Sequence, residues 1–182
     1  MNSDIDVKIA GDKPSRDVKR NLSAGALGNN ISKAQSEKAK KFGKAVAEKF
    51  ISDTQITAFK EQNNNLEMMI QRRMLLSFTA TIGFELYSGN DVICGIAQKS
   101  FLDTVKKEDN MLYCTEDDTG AFSFYYLAYR RGGEVDRRIG QTFAMLCSHD
   151  GDPIYQELGE ALYCWFLSEV KNQAEELGLK EE

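Results

Sequence analysis

The chain has 182 residues, of which 42% are hydrophobic and 28% are charged, and only two are prolines. This length is enough for one domain with a substantial core and too short for two ordinary domains. The composition excludes a collagen, a wholly disordered chain and a disulfide-stapled miniprotein. The longest apolar run, residues 161–167, is far below the roughly 20 residues of a membrane span, and no secretory signal is recognisable. We therefore expect a soluble, cytoplasmic protein.

Charge divides the chain into a basic N-terminal region and an acidic remainder. Residues 1–50 carry a balance of +5, whereas residues 51–182 carry a balance of −10. Residues 1–31 are rich in Gly, Asn, Ser and Asp and lack a sustained hydrophobic period, so we predict a mobile arm. Residues 32–182 are predicted to form a single helical domain, with a basic amphipathic helix over 32–50 and an acidic helical core over 53–178.

The first predicted helix begins at Ser32 and has an apolar and a basic side. Phe42, Val46 and Phe50 recur at a spacing of four, which places them on one face. Lysines occupy the other sides, and the candidate partner-binding residues are Lys38, Lys40, Lys41 and Lys44. Such a face suits an acidic protein, nucleic acid phosphates or an anionic membrane, although a docked helix with solvated lysines is the simpler interpretation. Asp53 and Thr54 are the predicted N-caps of a separate short helix.

Two later segments fit either a helix or a strand. Residues 66–87 repeat apolar side chains every four positions, but residues 78–86 also alternate with a period of two and are rich in strand formers. Residues 121–129 are aromatic enough to permit a strand too. We favour helices, because residues 68–76 have high helix propensity and no breaker separates them from the second half of the segment. The alternative is an α+β fold with a two-stranded ribbon formed by 78–86 and 121–129.

The last predicted helix begins near Pro153, ends near Glu176 and is stopped by Gly178. Residues 161–167 are apolar on every side of this helix, which is typical of a helix surrounded by protein. Trp165 is therefore expected to be largely buried. The predicted fold class is all-α, with five to seven helices in a compact bundle or orthogonal array around this central C-terminal helix.

Two arginine pairs flank a glycine pair between two predicted helices, within residues 130–138. The four arginines are Arg130, Arg131, Arg137 and Arg138. Guanidinium groups beside the N–H groups of a helix start bind phosphates and carboxylates. This segment, the arginine turn, is therefore our candidate small-anion site. Ion pairs between these arginines and nearby acidic residues are the competing, purely structural interpretation.

The remaining reactive side chains form no recognisable catalytic or metal-binding set. Cys94, Cys114, Cys147 and Cys164 are widely spaced, so we expect buried thiols in a reducing compartment. A zinc site from Cys114, Cys147, His149 and Cys164 is conceivable but lacks the usual ligand spacing. His149, the single histidine, falls at a helix end, where it more often stabilises the last turn than performs chemistry. No metal or cofactor is expected.

These observations favour a non-enzymatic helical protein–protein interaction or scaffold module, which binds a protein partner or associates with itself. The alternative is a regulator that binds a small anion, a nucleotide or nucleic acid through the arginine turn and the basic N-terminal region. A hydrolytic enzyme ranks third, because the chain has no phosphate loop, no dinucleotide-binding glycine motif and no nucleophile elbow.

Overall fold

The computed structural model describes residues 31–60, 66–108 and 119–179, and these ranges contain six α-helices and no strand. The helices are α1 (Lys33–Lys60), α2 (Leu66–Tyr87), α3 (Asp91–Glu108), α4 (Thr119–Arg130), α5 (Val135–Leu146) and α6 (Pro153–Glu176). The all-α prediction is confirmed. Residues 78–86 belong to α2 and residues 121–129 to α4, so the alternative ribbon does not form. The predicted arm lies outside the described residues, except for Ile31, which packs against the core.

Local capping explains where several helices begin. Ser32 and Gln35 cap α1 reciprocally: the Gln35 N–H donates to Ser32 Oγ and the Ser32 N–H donates to Gln35 Oε1, each at 3.1 Å. At α3, Asn90 Oδ1 accepts hydrogen bonds from two backbone N–H groups. At α6, the Asp152 side chain accepts from the backbone while Pro153 occupies the first turn. The starts of α1 and α6 agree with those predicted from the sequence.

The helix α1 is longer than predicted. It continues without a break to Lys60, so the interpretation of Asp53 as the cap of a separate helix is wrong. The Asp53 carboxylate instead accepts two hydrogen bonds from the Arg72 guanidinium of α2, at 3.0 and 2.8 Å. Both side chains are mostly buried. Because the pair is bidentate and shielded from water, it ties α1 firmly to α2.

The helix α2 packs against all five other helices. Its side chains Leu75, Phe78 and Ile82 are fully buried. The Phe78 ring lies within 5.5 Å of the Tyr125 ring and within 6.3 Å of the Tyr129 ring of α4, measured between centroids. The two segments that could have paired as strands therefore meet as helices through an aromatic cluster.

The prediction that residues 161–167 are enclosed by protein is wrong. The helix α6 packs against α5, α2 and α1 and buries Phe166 completely, but Trp165 remains 40% exposed. Ala161, Cys164 and Trp165 share one side of the helix, at spacings of three and four, and all three are exposed. The central helix, which contacts all five others, is therefore α2 and not the C-terminal helix α6 as predicted.

The helices α1 and α3 approach each other closely and run antiparallel. At Gly43 of α1, an added Cβ would overlap the carbonyl oxygen of Ala97 in α3. One turn earlier in α1, the carbonyl oxygen of Lys40 accepts a hydrogen bond from the Ser100 hydroxyl at 2.8 Å. The earlier residue of α1, Lys40, contacts the later residue of α3, Ser100, while Gly43 contacts Ala97. The two helices are therefore antiparallel. Among the described helices, none is long and apolar enough to cross a membrane.

Candidate functional site

The helix α4 is apolar on two sides, and only one of them is covered. Its inner side buries Ala121, Tyr125 and Ala128. Because α4 packs mainly against α2 and α5, its other side faces outward, with exposures of 49% for Phe124, 42% for Tyr126 and 56% for Leu127. We call this side, which continues into Arg130 and Arg131, the α4 outer face.

The C-terminal end of the α4 outer face is basic. The Arg130 guanidinium lies 5.2 Å from the centroid of the Tyr126 ring, within the range of a cation–π interaction. Arg131 follows it and is exposed. The sequence of α4 contains no lysine, aspartate or glutamate. The surface therefore combines aromatic rings, a leucine, two guanidinium groups and the exposed Ser123 hydroxyl.

The arginine turn has a special backbone. Gly132 and Gly133 both adopt positive φ angles, +64° and +71°, in the left-handed region that favours glycine. They reverse the chain between the end of α4 at Arg130 and the start of α5 at Val135. The sequence pattern also places this turn between two helices.

The arginines of the turn have different neighbours. Arg130 lies over Tyr126, whereas Arg137 pairs with Glu134 at 3.3 Å. The Arg138 guanidinium folds back beside Gly133, and its Nη1 atom is buried without a hydrogen-bond partner. These contacts agree with the structural interpretation for Arg137, while an anion site at the turn stays a prediction.

Two of the four candidate lysines of α1 lie at a groove. Lys40 and Lys44 line a cavity of about 620 Å³ between α1 and α3, together with Lys99 and Lys107 of α3. Lys38 and Lys41 are exposed and lie outside its lining. Sequence reasoning missed the α3 lysines. Their spacing of eight residues places them on one side of α3, but only the packing of α3 on α1 reveals the shared groove.

The surroundings of the described cysteines fit a packing role rather than a catalytic one. Cys94 and Cys147 are buried as predicted, whereas Cys164 is exposed, and Cys114 lies outside the described residues. Burial, with a smaller effect of the Glu67 carboxylate, raises the pKa of Cys147 to about 12, which suits an inert thiol rather than a nucleophile. Within the described ranges, no three His, Cys, Asp or Glu side chains are close enough together to hold a metal ion.

His149 ends α5 through its backbone rather than through its ring. Its N–H donates to the carbonyl oxygen of Ala144 at 2.9 Å, directly after Ser148, which has a φ of +61°. The imidazole ring stacks on Tyr155 of α6, with the centroids 3.8 Å apart and the planes 11° from parallel. The expected role at a helix end is therefore filled by the main chain, while the ring packs α5 against α6.

Comparison of the chain with known protein families, with characterised proteins and with solved structures finds no match. The candidate functional surfaces are therefore defined by geometry and chemistry alone. They are the α4 outer face with its adjoining arginine turn, and the lysine-lined groove between α1 and α3.

Proposed function

We propose that this protein is a non-enzymatic interaction module that binds a protein partner, or a second copy of itself, through the α4 outer face. The observation that carries the proposal is the exposure of three large apolar side chains, Phe124, Tyr126 and Leu127, over the outward half of one helix. Phe124 and Leu127 are neighbours at a spacing of three, and Tyr126 lies on the flank beside Arg130. A single exposed leucine is ordinary, but adjacent exposed aromatic and aliphatic groups favour an interaction site.

The composition of this face favours a protein as the partner. Tyrosine, phenylalanine and arginine are enriched at the centres of protein interfaces, where lysine and acidic residues are depleted. The α4 outer face follows this pattern, since Arg130 and Arg131 are its only charged members. We expect the partner to present an apolar ridge to Phe124 and Leu127 and a carboxylate to the arginine end.

In the part of the chain that the structure describes, the ionisable groups whose pKa values shift move away from neutrality. Burial raises the pKa of Cys147 to about 12 and raises the pKa values of Tyr125 and Tyr163 as well. General acid–base catalysis favours groups that are poised near the operating pH. This direction supports a binding role, and the free thiols of Cys94 and Cys164 suit a reducing, cytoplasmic location.

Site-specific photo-crosslinking in the native cell tests the proposal. Replacing Phe124 with p-benzoyl-phenylalanine retains an aromatic side chain on the α4 outer face. Irradiation should yield a discrete covalent product, whose mass distinguishes a foreign protein from a second copy. The same probe at Ser168, an exposed position on α6, is the matched control and should give no such product.

A second substitution makes the result specific. Adding Leu127→Glu to the crosslinking chain should abolish the product, because a carboxylate replaces the most exposed apolar group of the face. Equal crosslinking from positions 124 and 168, or a product insensitive to Leu127→Glu, would show that the α4 outer face is not the binding surface.

The arginine turn supports a second candidate function, the binding of a small anion. The observation that favours it is the buried Nη1 atom of Arg138, which lacks an acceptor beside Gly133. If an anion supplies that acceptor, millimolar phosphate or a nucleotide should raise the melting temperature, because the ligand prefers the folded state. Replacing Arg131 and Arg138 with glutamine should remove the increase, whereas replacing Lys33 and Lys41 with glutamine should not. An unchanged melting curve with these anions would refute the site.

A further inference from the structure

The groove between α1 and α3, which we call the basic groove, has rims that carry charges at regular helical intervals. Lys40 and Lys44 lie one turn apart on α1, and Lys99, Asp103 and Lys107 lie one turn apart in succession on α3. Positions four residues apart on a helix are about 6 Å apart along the axis. The α1 rim therefore presents ammonium groups one turn apart, the interval at which another helix places its own side chains. The α3 rim presents ammonium groups two turns apart, with the Asp103 carboxylate between them.

The charge of the groove is positive but mixed. The lining that the structure describes contains four lysines and two carboxylates, Asp103 and Glu108. On α1, Lys40 and Lys44 also have acidic neighbours within the helix, Glu37 at 2.9 Å and Glu48 at 3.6 Å. These are exposed pairs between helix neighbours, which contribute little energy and exchange readily with an incoming carboxylate.

We propose that the basic groove binds an acidic α-helix of a partner protein, lying lengthwise between α1 and α3. Carboxylates spaced by four residues on such a helix match the spacing of Lys40 and Lys44. Ile96, which lines the groove and packs against the core, offers an apolar contact for a leucine or alanine of the guest. The antiparallel pair of α1 and α3 provides a trough for a third helix.

The lining favours a carboxylate helix over nucleic acid. Among the described residues, no arginine and no aromatic ring lines this groove, although arginines and stacking aromatics are the usual groups that bind nucleic acid. Asp103 and Glu108 would repel a continuous run of phosphates. An amphipathic helix avoids this repulsion, because it can place a neutral or basic residue opposite Asp103 and keep its acidic residues opposite the lysines.

This binding site is separate from the α4 outer face. The groove belongs to α1 and α3, whereas the α4 outer face belongs to a helix that packs mainly against α2 and α5. The inference therefore goes beyond the proposed function, and variants of one surface leave the other intact. Failure of the crosslinking experiment at Phe124 and failure of binding at the groove are independent outcomes.

Fluorescence anisotropy tests the proposal with the full chain and a defined probe. The probe is a fluorescein-labelled helical peptide of about 15 residues, with glutamates at positions i and i+4 beside a stripe of leucine and alanine. We expect saturable binding that weakens as salt is raised from about 50 to 500 mM, since surface charges are screened. The double variant Lys44→Glu with Lys99→Glu should weaken binding by at least about tenfold.

A matched control keeps net charge constant. Lys38→Glu with Lys171→Glu makes the same change in net charge, on exposed residues of α1 and α6 outside the groove, and should alter the Kd by less than about twofold. The substituted lysines of both variants are exposed, and circular dichroism checks that each retains the fold. The milder pair Lys44→Gln with Lys99→Gln should give an intermediate loss.

Three results would overturn the proposal. The first is an equal loss of binding in the groove variant and the control, which would indicate attraction by net charge. The second is stronger binding of a DNA duplex than of the peptide, lost in the same groove variant, which would make the groove a phosphate site. The third is a set of peptide-induced amide NMR shifts confined to α4 and absent from α1 and α3.

Discussion

Trp165 and Phe166 are adjacent in the chain but lie in opposite environments. Phe166 is fully buried, whereas Trp165 is 40% exposed. Phe166→Ala should lower the free energy of unfolding by about 3–5 kcal/mol, because it leaves a cavity in the core. Trp165→Ala should lower it by only about 1 kcal/mol, since much of the indole already contacts water. Urea denaturation followed by circular dichroism measures both values.

Fluorescence checks the same assignment independently, because Trp165 is the only tryptophan. Its emission in the folded protein should be quenched readily by acrylamide. A blue-shifted emission protected from acrylamide, or equal destabilisation by the two substitutions, would contradict the exposed position of Trp165.

Cys147 makes stability depend on pH at the alkaline end. Burial raises the pKa of its thiol from the ordinary 9.0 to about 12. The unfolded chain releases this proton near pH 9, while the folded protein retains it. The stabilisation is therefore fully present below pH 9 and is lost as pH rises from about 9 to about 12. The loss attributable to Cys147 should reach the order of 1–2 kcal/mol near pH 10.5.

Comparison of the natural chain with Cys147→Ala isolates this effect. Burial, with a smaller effect of Cys147, also raises the pKa of Tyr125, and the burial effect is common to both proteins. Denaturant unfolding at pH 7, 9 and 10.5 should show that the stability difference between the two proteins narrows as pH rises. Parallel pH profiles would show that the Cys147 thiol ionises normally in the folded state.

At the scale of the elements, the contact between α1 and α3 depends on one glycine. A Cβ at Gly43 would overlap the backbone of α3 at Ala97. Gly43→Ala should therefore destabilise the protein by about 1–3 kcal/mol, because the cost of overpacking exceeds the gain in helix propensity. Thermal and urea denaturation of the variant measure the change.

Gly95 of α3 is the matched control, since an added Cβ meets nothing within 4 Å there. Gly95→Ala should stabilise the protein by up to about 1 kcal/mol, the ordinary preference of a helix for alanine. If Gly43→Ala were as stable as Gly95→Ala, the backbones of α1 and α3 would have to lie farther apart than the structure places them.

The elements also show which parts of the fold can be predicted from sequence. Helix starts at Ser32 and Pro153 follow from local capping chemistry, and the sequence predicts them correctly. The exposed side of residues 161–167 does not follow, because an apolar run does not indicate which neighbours cover each side. Asp53 is similar: its residue type favours a cap, but Arg72, which is 19 residues away, holds it inside α1. Long-range contacts therefore decide what local patterns leave open.

The candidate surfaces are likewise only partly predictable, because local patterns are visible in the sequence and long-range contacts are not. The basic face of α1 is visible in the sequence, but the groove requires α3, whose Ser100 meets Lys40 across 60 residues of chain. The aromatic density of α4 is equally visible in the sequence. The sequence does not show which of these apolar side chains are buried and which are exposed. Tyr125 is buried and Tyr126 is exposed, and only the position of α4 on α2 and α5 separates them.

At the scale of the whole molecule, α1 is an integral part of the core rather than an appendage. Phe42 meets Phe84 of α2 at 5.0 Å between ring centroids, and Phe50 meets Phe101 of α3 at 5.5 Å. A chain beginning at Asp53 would lose both phenylalanines and uncover α2 and α3. We expect that chain to lose its cooperative thermal transition, because several large core side chains are removed at once.

A chain beginning at Ile31 is the matched comparison. It retains all of α1 and also Ile31, which packs against the core. It removes residues 1–30, which belong to the segment that the composition predicts to be a mobile arm. Its melting temperature should therefore lie within about 4 °C of the full chain. Circular dichroism melting of the three chains, together with limited proteolysis of the longest, measures both effects. A larger decrease for the Ile31 chain would assign part of the core to residues 1–30, and a cooperative transition in the Asp53 chain would show that α2 to α6 fold without α1.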